Sequence, residues 1–227
     1  MTGKVKVGVA IALLAILVIA FGVSLWINRS FQAELGSYRT VLIDRTEAQR
    51  HNIQQAASAV DGVVIEPGDI FSFNEIVGPR NPERGYRIAP AYMERSLVTS
   101  IGGGVCQVSS TIYRAALVAG LKIIERHPHS RLVTSVPPGQ DATVWWGGAD
   151  LKFQNDSGYP ITLISRANDR ELFCAIFGKN GSNKKVVVQT NKVDSQPSRG
   201  ITYLTLRTIS STGGRMIEVC SVDTYVR

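Results

Sequence analysis

Cysteine is scarce in this sequence, three in 227 residues, and histidine is equally rare. So few cysteines rule out a small disulfide-stapled scaffold. Charge is thin as well: Asp, Glu, Lys and Arg make up 19% of the chain, a little under the ~25% of an ordinary soluble domain. With apolar residues at 44%, there is too much to bury and too little charge for intrinsic disorder. The 21 glycines and 9 prolines follow no period, which excludes a collagen-like architecture. Cys-x-x-Cys and His-Glu-x-x-His are both missing, so no common zinc motif is present. No basic helix interleaved with aromatics occurs, and the net charge of +7 does not by itself imply nucleic acid.

One long hydrophobic run stands out. Val7 to Ile27 is an uncharged stretch of 21 residues. As a helix it is long enough for the ~30 Å hydrocarbon layer of a membrane, and too long for a signal-peptide core of about 7–15 residues. Ala20-Phe21-Gly22 offers a small-x-small cleavage site, but the apolar run continues through Trp26 and Ile27, which favours an uncleaved anchor. Lys4 and Lys6 precede the run, so the positive-inside tendency places the N-terminus in the cytoplasm and the remainder outside the cell. Four segments are expected: a membrane anchor at 1–28, a tether at 29–44, a domain at 45–180, and a C-terminal β extension at 181–227 packed on that domain.

Beyond the tether, Thr46-x-x-Gln49 is a capping box, and Ile53, Ala56, Ala57 and Val60 follow at helical spacing. Gly62 ends that helix, and Val63 to Phe73 reads as two strands around a Pro67-Gly68 turn. Three glycines, Gly102 to Gly104, lead into a second helix over 105–119, closed by Gly120. This helix is apolar nearly all round, the mark of a buried central helix. Strands are expected at 121–124, 132–136, 142–146, 151–153, 161–165, 172–177, 185–190, 201–209 and 215–222. The fold class is α+β: an N-terminal transmembrane helix, then one extracellular domain with a mostly antiparallel sheet packed on a central helix.

Chemistry concentrates around Cys106, at the start of the buried helix. Free N–H groups and the dipole at a helix N-terminus favour a thiolate. The glycines before it let backbone amides approach a reacting group, with donors expected around Gly104 and Gln107. His127 and His129 lie together in Glu125-Arg126-His127-Pro128-His129-Ser130, and Asp141 follows twelve residues after His129. Cys, His and Asp in that order resemble the triad of transglutaminase-like cysteine enzymes. In such a triad imidazole takes the thiol proton and a carboxylate fixes its tautomer. His129 is favoured over His127 as the base. Two other readings stay open: a zinc site using the His-x-His pair with Cys106 or Asp141, and a binding module without catalysis. No cofactor is called. Outside the cell the simplest partition of thiols pairs Cys174 with Cys220 and leaves Cys106 free, and both strand cysteines being reduced is the alternative. Asn74 and Arg80 are candidate cleft residues, Glu75 and Glu83 a carboxylate pair to weigh, and Trp145 and Trp146 candidates for stacking on sugar rings. Of the two tryptophans, one at most is expected to be free, since consecutive strand residues face opposite sides.

Longer motifs carry a resemblance. Pro67-Gly68-Asp69-Ile70-Phe71-Ser72-Phe73-Asn74, Val77-Gly78-Pro79-Arg80, Gly102 to Thr111, Glu125 to Ser130 and Gly139 to Val144 resemble the VanW family of bacterial envelope proteins, over about residues 40–178. The resemblance implies a membrane-anchored extracellular domain connected with the cell wall, so peptidoglycan is the expected partner. It supplies no settled reaction, and no role in vancomycin resistance follows from the family's name. Many relatives carry a repeated peptidoglycan-binding-like region before this domain or a G5 module after it. Neither is recognisable in these 227 residues, so the site is expected close to the membrane.

Overall fold

A computed structural model describes Leu14 and residues 33–93, 96–179, 184–196 and 200–226. Among the described residues no helix is long and apolar enough to cross a membrane. The run read as an anchor, Leu14 apart, lies outside them.

The first strand, β1 (Ala33–Val41), occupies most of the segment expected to be a tether. That expectation is corrected: β1 lies beside β9 (Glu171–Gly178), in a four-stranded sheet ordered β1-β9-β8-β2. Strands β2 (Val63–Ile65) and β8 (Ile161–Ala167) pair antiparallel, as do β8 and β9. Alternate residues of β8, Ile161, Leu163 and Ser165, turn inward, as the two-residue period of a strand requires.

Helix α1 (Glu47–Val60) begins with the capping box its sequence announces. The Gln49 amide donates to Thr46 Oγ1 at 3.2 Å, and the Thr46 amide donates to Gln49 Oε1 at 3.0 Å, so two N–H groups that the first turn would orphan are satisfied. Its buried face is Asn52, Ile53, Ala56, Ala57 and Val60. Strand β3 (Ile70–Ser72) ends one residue before the expected Phe73, where a short helix, α2 (Phe73–Val77), begins; the Ser72 hydroxyl caps it by accepting from the Glu75 amide. A hairpin of β4 (Ile88–Met93) and β5 (Ser96–Ile101) then leads to the glycines.

Helix α3 (Val105–Ala119) is the central element. Val108, Ile112, Tyr113, Ala115, Ala116 and Leu117 are all buried, and burying a large apolar side chain contributes about 1.5–3 kcal/mol. Around α3 lie the four-stranded sheet, α1, and a second sheet ordered β3-β7-β6 from β6 (Lys122–Glu125) and β7 (Lys152–Gln154). Phe71 and Phe153 face each other across β3 and β7 with stacked rings 4.6 Å apart. A third sheet, β10 (Lys185–Gln196), β11 (Gly200–Ser211) and β12 (Gly214–Tyr225), is antiparallel throughout.

The strands expected at 132–136 and 142–146 do not form. This stretch is an extended loop with a single isolated bridge, His127 to Thr143. Its backbone is satisfied by other means: the Ala142 amide donates to Ser110 Oγ, and the Ala142 carbonyl accepts from Ser109 Oγ at 2.7 Å. Helix α3 thus holds the loop with hydroxyls where a neighbouring strand would hold it with a ladder.

Candidate active site

Cys106 lies in the first turn of α3, one residue past Val105. The turn before the helix depends on glycine. Gly104 has φ +101°, and a Cβ on Gly103 would stand 2.4 Å from the Ala89 carbonyl oxygen. The Cys106 sulfur lies 3.5 Å from the Val144 carbonyl oxygen, and the His129 side chain is near enough to pull its pKa down. Cys106 is half-buried, and all three cysteines are free thiols. Cys174 and Cys220 are therefore not bridged, and the expected pairing is corrected. Each of the two lies in a strand of a different sheet, β9 and β12.

Asp141 orients His129. His129 Nδ1 lies 2.7 Å from Asp141 Oδ2, and the His129 backbone amide donates to that same oxygen at 2.7 Å. With Nδ1 engaged by the carboxylate, Nε2 is the ring nitrogen left for sulfur. The other carboxylate oxygen, Oδ1, accepts from Arg126 Nη2 at 2.9 Å and from the Tyr225 hydroxyl at 2.5 Å. Asp141 is fully buried.

The electrostatics favour an ion pair. Burial pushes the Cys106 thiol up, but His129, with smaller help from the Val144 backbone and Arg80, leaves it below its ordinary value. For His129, burial opposes the proton, while Asp141 and then Cys106 favour it and raise the imidazole to about 9. Asp141 is held below the usual carboxylate range: burial works against the charge, and His129 and Arg126 outweigh it. The site therefore favours moving the thiol proton onto imidazole, with negative charge developing on sulfur.

His127 does not join this cluster. Its Nε2 contacts Glu125 Oε1 at 3.0 Å, and its ring lies 6.4 Å from the Trp145 ring. The His-x-His pair is split between two environments, and among the described residues no group of three His, Cys, Asp or Glu is placed to hold a metal ion. Arg80 does reach the site's field. Its guanidinium lies 5.3 Å over the Phe73 ring, Nη1 donates to the Gly78 carbonyl, and Nη2 is buried with no hydrogen-bond partner.

Two sequence candidates, Asn74 and Gln107, take structural roles. The Asn74 side-chain amide donates to the Trp145 and Ala149 carbonyls, both at 3.0 Å, and so shapes the 145–149 turn. The Gln107 side chain points to β1, donating to Thr40 Oγ1 and the Val41 carbonyl and accepting from Arg45. The Gln107 backbone amide is spent on the Gly104 carbonyl, so it is no free oxyanion donor. Glu75 and Glu83 are both exposed. Trp145 and Trp146 are 56% and 53% exposed, against the expectation that one at least would turn inward. The segment is a turn and not a strand, so the two indoles are not forced to opposite faces.

Three residues of this site were missed in the sequence: Ser110, Asp223 and Tyr225. Arg126 grips Asp141 with Nη2 and Asp223 with Nη1, which lies 2.7 Å from each Asp223 oxygen. Arg126 lies just before the His-x-His motif, and nothing local marks Asp223 or Tyr225.

The sequence profile of the VanW like protein family matches residues 48–177, which include Cys106, His129 and Asp141. The uncharacterized protein YoaR of Bacillus subtilis is 39% identical over 166 residues, covering 73% of this chain and 54% of its own. The vancomycin B-type resistance protein VanW of Enterococcus faecalis is 30% identical over 133 residues, covering 56% of this chain and 48% of its own. The chain thus spans about half the length of these two relatives. No solved structure matches it. With the profile extending over more than half of the sequence, the chain belongs to the VanW-like protein family.

Proposed function

We propose that this protein is a membrane-anchored enzyme of the cell envelope whose thiolate attacks an amide of peptidoglycan or of a wall-linked peptide. One observation carries the reading: Cys106, His129 and Asp141, far apart in sequence, meet in the order sulfur, imidazole, carboxylate at the head of a buried helix. The envelope setting is supported by family membership and by a relative named for vancomycin resistance. The anchor is supported by the uncharged run Val7 to Ile27.

In the reaction, the Cys106 thiolate bonds to the carbonyl carbon of the amide. The tetrahedral adduct collapses as the C–N bond breaks, and the imidazolium proton of His129 passes to the departing amine. A thioester and a neutral imidazole remain. Water or a second amine then attacks the thioester, His129 takes its proton, and the thiolate leaves. Water gives hydrolysis and an amine gives transpeptidation. Asp141 holds the His129 tautomer throughout. Arg80, cationic and with an unpartnered Nη2, favours the thiolate, and Trp145 and Trp146 offer faces on which sugar rings can stack.

The test is intact-mass spectrometry of the purified full chain after incubation with peptides released from peptidoglycan. An acyl adduct on Cys106, absent in Cys106→Ala, is the expected result. No adduct and no released amine with any wall peptide, while the protein still binds intact peptidoglycan, would favour a binding module built on the two exposed tryptophans. Carbonate extraction tests the anchor, since a spanning helix keeps the chain in the membrane pellet.

A further inference from the structure

Strand β12 lies beyond residues 48–177, the span that marks the family, yet it touches both segments that carry the site. Its Tyr225 hydroxyl donates to Asp141 Oδ1 at 2.5 Å and accepts from the Gly139 amide at 2.7 Å. Its Asp223 takes both of its contacts from Arg126 Nη1, the partner of Asp141. Just past the strand, the Val226 amide donates to the Ser130 carbonyl at 2.8 Å, beside His129. The rest of the sheet closes on the same loop. Gln140 donates to Thr190 Oγ1 at 2.9 Å, and a Cβ on Gly139 would fall 2.0 Å from Thr205 Oγ1. Tyr225 is almost wholly buried and Asp223 nearly so. A carboxylate and a phenol buried at the far end of a chain, both spent on one arginine–aspartate pair, are more than packing needs.

We propose that Tyr225 and Asp223 are positioning residues of the thiol site, setting how much negative charge Asp141 presents to His129. This deepens the reading given above and rests on it. Two opposing influences meet at Asp141. The Tyr225 O–H dipole turns its positive end toward Oδ1 and tempers the carboxylate. Asp223 neutralises much of the Arg126 charge, which would otherwise pull on Asp141 and weaken its hold on the imidazolium. The other charged or titratable groups around this cluster are Cys106 and Tyr113 on α3, with the Tyr113 ring 5.3 Å from the Arg126 guanidinium. Arg80 beside the sulfur, Cys220 on β12 and Tyr203 on β11, edge-on to Tyr225, also face it.

The two influences have opposite signs, and that supplies the test. The His129 ring titration is followed by 15N NMR in the full chain, assigned by its loss in His129→Gln. Tyr225→Phe removes the donor and keeps the ring, so the His129 midpoint rises, by about half a unit. Asp223→Asn removes a negative charge and keeps the shape, so the midpoint falls, by about half a unit to one unit. Tyr203→Phe, whose ring packs edge-on against Tyr225 at 6.0 Å, leaves it in place. A purely structural role would leave both midpoints unmoved or drift both toward an ordinary imidazole, and either pattern overturns the proposal, as does the wrong sign in either variant. The readout needs no substrate, so it stands apart from the acyl-adduct experiment. An adduct with unmoved midpoints defeats this proposal alone, and shifted midpoints without an adduct defeat the enzymatic reading alone.

Discussion

One oxygen of Asp141, Oδ2, receives both the ring Nδ1 and the backbone amide of His129, each at 2.7 Å. The carboxylate therefore fixes the imidazole at two points, and rotation of the ring away from Cys106 breaks a contact to a fully buried charge.

That contact gives a signed pH dependence. Folding raises His129 from 6.5 to about 9, so its contribution is complete below the ordinary value and is lost as pH rises through about 9. Folding depresses Asp141 below 3.8, so its contribution is present above that value and is lost as pH falls through the folded midpoint. The stability difference between the wild type and Asp141→Asn is then largest between about pH 4 and 6.5, on the order of 3 kcal/mol, and declines from there toward pH 9. It shrinks on both sides. Urea unfolding across the pH range measures it, and a difference independent of pH would contradict the assignment.

Truncation at the same position is harsher. Asp141→Ala leaves the buried Arg126 with Asp223 alone and the His129 imidazole with no carboxylate. A loss of about 3–5 kcal/mol is expected in denaturant unfolding, with Asp141→Asn costing less because it keeps the shape and one acceptor.

The three thiols should separate by reactivity. Burial pushes Cys174 up to about 12 and raises Cys220, whereas Cys106 is lowered. Peptide mapping after brief iodoacetamide treatment near neutral pH should find Cys106 carbamidomethylated at least tenfold faster than either of the others.

Packing of β1 on the central helix admits a separate check. A Cβ on Gly36 would stand 2.4 Å from the Ala119 backbone nitrogen and 2.6 Å from the Ala115 carbonyl oxygen. Neither is a flexible side chain, so Gly36→Ala should cost about 1–3 kcal/mol, read as a lowered urea midpoint. An unchanged midpoint would mean that β1 is not seated there.

Much of this architecture was written locally. The capping box at Thr46, the glycines around α3 and the apolar girth of that helix announce themselves within one or two turns of chain. Cys106 and His129 drew attention because cysteine and histidine are rare here, three of each, and Asp141 because it follows His129 by twelve residues. The loop over 132–146 was misread as strands because its Val and Thr residues carry strand character, while the hydroxyls of Ser109 and Ser110 that tie it to α3 sit on another element. Strand β1 was read as a tether because its partner β9 lies more than a hundred residues away. Tyr225 and Asp223 escaped for the same reason, since only the folded chain brings them to Arg126 and Asp141.

The central claim is that His129 keeps the Cys106 sulfur ionised, and the rate of Cys106 alkylation against pH, in wild type and His129→Ala, tests it most directly. A wild-type midpoint well below that of an ordinary thiol, moved upward in His129→Ala with at least a tenfold slower rate at pH about 7, is the predicted result. Superimposable profiles for the two proteins, both rising only where a free cysteine ionises, would contradict it.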